Sequence, residues 1–78
     1  KEVEKVKIVL SDNIIPYIKS KPIHGSQKII DNNLYLQVKL NYELESLILS
    51  YGENMKVLEP IELIDKLKER VQKMKEFY

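Results

Sequence analysis

Residues 49–60, with the sequence LSYGENMKVLEP, decide the fold because secondary structure changes twice within this stretch. Gly52 predicts the end of a helix, since glycine readily adopts the left-handed backbone conformation that closes helices. Met55 to Leu58 follows as a short strand. Pro60 then predicts the start of a second helix, because the proline ring fixes the backbone dihedral of a first helical turn.

Amphipathic helices flank this strand on both sides. Upstream, Leu44, Leu47, Ile48 and Tyr51 recur at intervals of three and four residues, as on the buried face of a helix. Downstream, Glu59 is expected to cap the last helix. An apolar stripe of the same spacing then runs to the end of the chain: Leu63, Ile64, Leu67, Val71, Met74 and Tyr78.

Three segments nearer the amino terminus are predicted strands. Leu34 to Leu40 alternates most clearly between apolar and polar residues, and Lys5 to Leu10 alternates well. Ile23 to Ile30 is also β-like, but its phase is unclear because Ile29 and Ile30 would point to opposite faces. Asp31 to Asn33 predicts a hairpin turn after it. Between the first two strands, Ser11 to Ser20 predicts a short helix that contains a proline.

The resulting order is strand, helix, strand, strand, helix, strand, helix. This order predicts an α+β, ferredoxin-like βαββαβ domain with a four-stranded antiparallel sheet and an added C-terminal helix. In such a domain the first and third strands are central neighbours, and the first two helices cover one face of the sheet. The other face stays open, so the last helix must pack over an edge, across that face or against another chain.

Composition limits the classes of function. The chain of 78 residues is expected to form a single domain over residues 1–78, and it starts without methionine, which suggests a piece of a longer protein. A net charge of +1 gives no global field that would attract nucleic acid or anionic lipid. Apolar runs are far shorter than the roughly 20 residues of a membrane span. We expect a cytoplasmic protein with no membrane partner.

His24, Ser26 and Gln27 form the one cluster of neutral polar side chains with chemical potential. On an extended strand His24 and Ser26 would point to the same face, but no nearby carboxylate would orient the imidazole for nucleophilic catalysis. Two interpretations of this cluster stay open: structural hydrogen bonding, and contact with a ligand or a partner. We expect no enzyme activity, no cofactor and no metal site, since one histidine and no cysteine make a poor ligand set.

The face of the sheet that stays open carries a further group of candidate contact residues. Outward positions of the two central strands carry Lys5, Lys7, Tyr35, Gln37 and Lys39. Such a face contacts a ligand or stacks single-stranded nucleic acid in some ferredoxin-like domains, whereas the simpler interpretation is a solvated surface.

Aromatic residues fall into two sets by their position. Tyr17, Tyr42 and Tyr51 lie on or beside apolar helix faces and are expected in the core. At the end of the chain Phe77 and Tyr78 are harder to bury within one small domain, and we expect Met74, Phe77 and Tyr78 to contact a second copy in a homodimer.

Three short motifs in this order resemble the C-terminal extension (WCX) domain of bacterial WYL-domain transcriptional regulators. They are PIHGSQ at residues 22–27, LSYG at residues 49–52 and VLEP at residues 57–60. Gly25 stands where such sequences often carry proline. The resemblance covers most of the chain, from the first strand to Tyr78.

The resemblance implies a homodimeric regulator whose upstream parts are a winged helix-turn-helix that binds DNA and a WYL domain that senses a nucleotide or single-stranded nucleic-acid effector. The present domain would couple effector sensing to DNA binding by contacting the partner subunit. A small-molecule sensor that binds amino acids between paired ferredoxin-like sheets is an alternative with the same element order. It predicts glycine-rich turns, whereas this chain has glycine only at positions 25 and 52.

Overall fold

The computed structural model describes residues 2–78, which form a four-stranded sheet and three α-helices. A short 3-10 turn, Asp12–Ile14, leads into the first helix, and a second, Gly52–Asn54, follows the second helix. The elements in chain order are β1 (Glu4–Leu10), α1 (Ile15–Ser20), β2 (Lys28–Ile30), β3 (Asn33–Val38), α2 (Tyr42–Ser50), β4 (Met55–Glu59) and α3 (Ile61–Lys75).

Strand order in the sheet is β2-β3-β1-β4, and every neighbouring pair is antiparallel. The first and third strands are therefore central, with Ile8 opposite Leu34 and Lys7 opposite Tyr35. This arrangement confirms the α+β, ferredoxin-like fold with an added C-terminal helix.

One face of the sheet forms the core with the three helices. Because side chains alternate along a strand, Val6, Ile8 and Leu10 all point to this face and are at most 1% exposed. The remaining buried side chains come from the other central strand, from β4, from all three helices and from the 3-10 turn before α1: Ile14, Ile18, Leu34, Leu36, Val38, Leu44, Ile48, Met55 and Leu63. A single core of this kind leaves the opposite face of the sheet to solvent.

Helix ends follow the sequence signals with one correction. Gly52 has φ +59 directly after α2, as predicted for the residue that closes a helix. Asn41 caps the start of α2, since its side-chain oxygen accepts a 2.8 Å hydrogen bond from the Leu44 amide. Pro60 is extended, with ψ 165, and α3 begins at Ile61 with no side-chain cap. The prediction that Glu59 caps this helix is therefore wrong, and Glu59 is the last residue of β4.

The second strand is much shorter than predicted. Only Lys28–Ile30 pairs with β3, whereas residues 23–27 form turns and bends. Asp31, with φ 56, lies in the tight turn between the two strands, as expected for a residue that tolerates left-handed backbone. β3 ends at Val38 rather than at Leu40.

The added helix lies beside α2 in the helical layer and does not cross the open face. Leu63 in its first turn is 1% exposed and belongs to the core, and Leu67 packs against the core from one turn further on. Arg70 then contacts the first half of α2 through Tyr42, Glu45 and Ser46. The apolar stripe of α3 is thus shared between the core and a surface further along the helix.

Candidate functional site

Gln27 ties the loop after α1 to the end of that helix. Its Oε1 accepts a 2.9 Å hydrogen bond from the Ile23 amide, and its Nε2 donates to the Ile18 carbonyl at 3.2 Å. Carbonyls in the last turn of a helix have no partner within the helix, so this amide satisfies one of them. Both the oxygen and the nitrogen of the Gln27 amide group therefore stabilise the local backbone.

His24 and Ser26 meet in a turn rather than on a strand. The Ser26 amide donates to His24 Nδ1 at 3.0 Å, and the Ser26 hydroxyl lies 2.9 Å from the same nitrogen. Because a backbone amide can only donate, Nδ1 must accept and the neutral ring carries its proton on Nε2. The expectation of an extended strand here was wrong, but the two side chains do come together.

Ser26 also extends the sheet beyond the short β2. Its hydroxyl accepts a 2.9 Å hydrogen bond from the Gln37 amide and lies 3.2 Å from the Gln37 carbonyl oxygen. The hydroxyl thus replaces the backbone partner that a longer β2 would offer to β3. This pairing explains why β2 can begin as late as Lys28 without leaving the backbone amide of Gln37 without a hydrogen-bond partner.

The open face of the sheet brings together four of the five surface residues predicted for it. Lys5 is opposite Gln37, and Lys7 is opposite Tyr35. The Lys7 ammonium lies 5.7 Å from the centroid of the Tyr35 ring, within the range of a cation–π contact. These residues surround a shallow hollow of about 390 Å³ that Ser26 and Lys28 also line.

Three charged residues on this face were missed from the sequence. The register places Lys28 opposite Tyr35, Glu59 opposite Lys7, and Lys56 opposite Val9. A signal for Lys28 was present, because a two-residue turn at Asp31 and Asn32 fixes which residues of β2 face outward. Among residues 2–78, the face therefore carries Lys5, Lys7, Lys28, Lys56 and Glu59, four cations against one anion in a domain whose net charge is only +1.

Lys39 lies apart from this hollow, beyond the end of β3. It lines a second cavity of about 440 Å³, together with Gln37 and His24. The walls of this cavity are apolar and come from Val3, Ile23, Leu44 and Leu47, with Asn41 and Glu43 on the side of α2. We call this cavity the α2 groove.

The end of α3 exposes the residues predicted to contact a second copy. Exposure rises along the stripe from 41% at Val71 and 47% at Met74 to 88% at Phe77. Tyr78 is fully exposed. We call Val71, Met74, Phe77 and Tyr78 the α3 end stripe.

The tyrosines expected in the core are only partly there. Tyr17 is 51% exposed and Tyr42 is 66% exposed, so that expectation is wrong for both. Tyr51 packs against the core and meets Tyr17 edge to face, with ring centroids 6.2 Å apart. Burial, and secondarily the charge of Tyr17, raises the pKa of the Tyr51 phenol above 10.0.

The described residues offer neither a metal-binding cluster nor a membrane-spanning helix. Within residues 2–78 no group of three or more histidine or acidic side chains is arranged to hold a metal ion. No helix in the same range has the length and apolar character needed to cross a membrane.

Comparison with known proteins identifies the family. No curated protein and no solved structure matches the chain significantly. The model of the WCX domain family matches residues 2–75, which is nearly the whole chain. The chain therefore belongs to the WCX domain family.

Proposed function

We propose that this domain is the C-terminal regulatory and dimerisation module of a WYL-domain, winged-helix transcriptional regulator. Family membership supports the placement in such a regulator. The observation that carries the dimerisation role is the α3 end stripe, which presents Met74, Phe77 and Tyr78 to solvent at the end of a helix that is otherwise anchored in the core. Exposed aromatic and methionine side chains in one patch are typical of protein interfaces.

In this proposal the domain couples effector sensing to DNA binding through the symmetry of the dimer. DNA is bound by the upstream part of the regulator, and a nucleotide or single-stranded nucleic acid is its effector. Two winged helices read two half-sites only when the dimer holds them at the right spacing. A domain that joins the subunits can therefore change DNA affinity without touching DNA.

Sedimentation equilibrium of the 78-residue chain tests the dimerisation role. We expect a monomer–dimer equilibrium between micromolar and millimolar concentration. Met74→Asp should shift it towards monomer, since the change places a charge in the α3 end stripe, whereas Met74→Leu should leave it in place. A wild-type chain that stays monomeric at millimolar concentration would overturn the proposal.

A second candidate function, binding of single-stranded nucleic acid, is favoured by the hollow on the open face. Three lysines, Lys5, Lys7 and Lys28, surround Tyr35, which is the arrangement that neutralises phosphates around an aromatic stacking platform. Glu59 on the same rim weakens this attraction.

Fluorescence anisotropy with a labelled single-stranded oligonucleotide at low salt tests this second function. We expect Lys7→Glu and Lys28→Glu to abolish binding, while Lys19→Glu and Lys66→Glu on the helices serve as charge-matched controls. Each phosphate contact should add about 0.7 to the slope of log affinity against log salt. Absence of binding at low salt, or equal loss in the controls, would exclude this function.

A further inference from the structure

Two apolar features lie at the same end of the molecule. Arg70 of α3 contacts Tyr42, Glu45 and Ser46, which belong to the first half of α2, and the α3 end stripe begins at the next residue. The α2 groove is lined by Asn41, Glu43 and Leu44 from that same half. An exposed apolar stripe and an apolar groove are thus neighbours on opposite flanks of one helix terminus.

We propose that two copies of this chain associate reciprocally, each placing its α3 end stripe in the α2 groove of the other. This inference rests on the proposed dimerisation and names the surface that receives the stripe. A two-fold axis near the start of α2 would allow both contacts to form at once, because stripe and groove both lie at that end, on opposite flanks of the helix. The interface is then self-complementary and closed, as dimers require.

The size of the two features is consistent with such a dimer. Phe77 and Tyr78 each offer about 150–250 Å² of aromatic surface. The groove, at about 440 Å³, has room for two or three apolar side chains. The contact forms twice, and each contact buries one stripe and one groove. If each of these four surfaces is about as large as Phe77 and Tyr78 together, the total reaches the roughly 1,200–2,000 Å² of a stable interface.

Charge favours the groove over a second copy of the same helix. If two α3 stripes packed together as a coiled coil, Lys68 and Lys75 would lie beside the stripe, and these cations would repel each other. The rim of the α2 groove instead offers Glu43 and Lys39. Lys75 and Glu76, adjacent on α3, supply the opposite charges.

Crosslinking between two differently tagged copies tests the inference, and the absence of native cysteine keeps the background low. One copy carries Lys75→Cys beside the stripe, and the other carries Glu43→Cys on the groove rim. Both positions are exposed, so the fold should tolerate the changes. A short bismaleimide should join the two copies. Lys56→Cys on the open sheet face, paired with Lys75→Cys, is the control that should not react.

Outcomes separate this inference from the proposed function. Strong crosslinking of the 43–75 pair, lost in a background of Met74→Asp, supports the reciprocal contact. A dimer that instead crosslinks when both copies carry Lys75→Cys, and not through the 43–75 pair, would overturn the inference and leave dimerisation intact. A chain that never dimerises would overturn both. For Met74→Asp we expect dimer affinity to fall about tenfold or more.

Discussion

The guanidinium of Arg70 lies 3.4 Å from the Glu45 carboxylate and so joins α3 to α2. The same side chain donates to the Ser46 hydroxyl at 3.1 Å and covers the Tyr42 ring at 4.1 Å from its centroid. Its partners are partly buried, with the side chain of Glu45 only 13% exposed. One arginine therefore combines an ion pair, hydrogen bonds and a cation–π contact at the point where α3 leaves the core.

Replacing this arginine should loosen α3 from the rest of the domain. We expect Arg70→Ala to lower the free energy of unfolding by about 1–2 kcal/mol, because several weak contacts and a partly buried ion pair are lost together. Arg70→Lys keeps the charge but loses the planar fork, so it should recover less than half of the loss. Urea denaturation followed by circular dichroism measures both changes.

Lys73→Ala is the matched control for that experiment. Lys73 pairs with Glu69 at 3.8 Å, and both side chains are more than half exposed. Exposed pairs of this spacing contribute about 0.3–0.5 kcal/mol. An effect of Lys73→Ala as large as that of Arg70→Ala would contradict the role we give to Arg70.

Leu63 should be the apolar anchor of α3. Because it is 1% exposed within the core, Leu63→Ala should cost about 2–5 kcal/mol through lost burial and a cavity. Val71→Ala, further along the same helix at 41% exposure, should cost less than about 1 kcal/mol. Chemical denaturation of the monomer at low concentration compares the two. Equal losses of stability in the two variants would contradict the role of Leu63 as the anchor, because they would mean that Val71 is packed as tightly as Leu63.

Much of this fold was predictable from local pattern. The alternation of Leu34, Leu36 and Val38 fixes the buried face of β3, and Gly52 fixes the end of α2, because both signals depend only on neighbouring residues. The order of the elements then restricts the sheet to one well-known topology. The C-terminal position of Phe77 and Tyr78 also predicted their exposure.

The features that were missed depend on contacts distant in sequence. The β2 strand begins only at Lys28, because the Ser26 hydroxyl takes over the pairing with Gln37, which no periodicity reveals. Tyr42 is exposed although it starts an apolar helix, because it lies on the flank of α2 that faces Arg70 of α3 rather than the core. Lys56 joins the basic face through the pairing of β4 with β1, which becomes known only with the register.

Removing the Ser26 hydroxyl should open this end of the sheet. We expect Ser26→Ala to lower the free energy of unfolding by about 1 kcal/mol, the usual value for one hydrogen bond. Hydrogen exchange at the Gln37 amide should accelerate selectively, since its acceptor is lost, whereas Leu36 should keep its rate. Ser50→Ala, at an exposed hydroxyl in α2, is the control, and unchanged exchange at Gln37 would refute the pairing.

The two glycines should respond differently to alanine. Gly52 has φ +59, so an alanine there should cost about 1–2 kcal/mol even though no atom lies within 4 Å of the added methyl group. Gly25 has equal space without the left-handed backbone, and Gly25→Ala should be neutral or stabilising by up to about 1 kcal/mol. Thermal denaturation of the two variants decides the point. A larger loss at Gly25 would show that its loop needs glycine for another reason.

Alkaline pH should destabilise the domain through Tyr51. Burial raises the pKa of this phenol above its ordinary value of 10.0, so the folded state holds the proton more tightly than the unfolded state does. Stability from this group is fully present below about pH 10, and it is lost as pH rises through the folded pKa, because the unfolded chain ionises first. Tyr51→Phe cannot ionise there, and its ring still packs against Tyr17. The melting temperature of the variant should therefore fall less between pH 9 and pH 11 than that of the wild type, and parallel curves would refute the linkage.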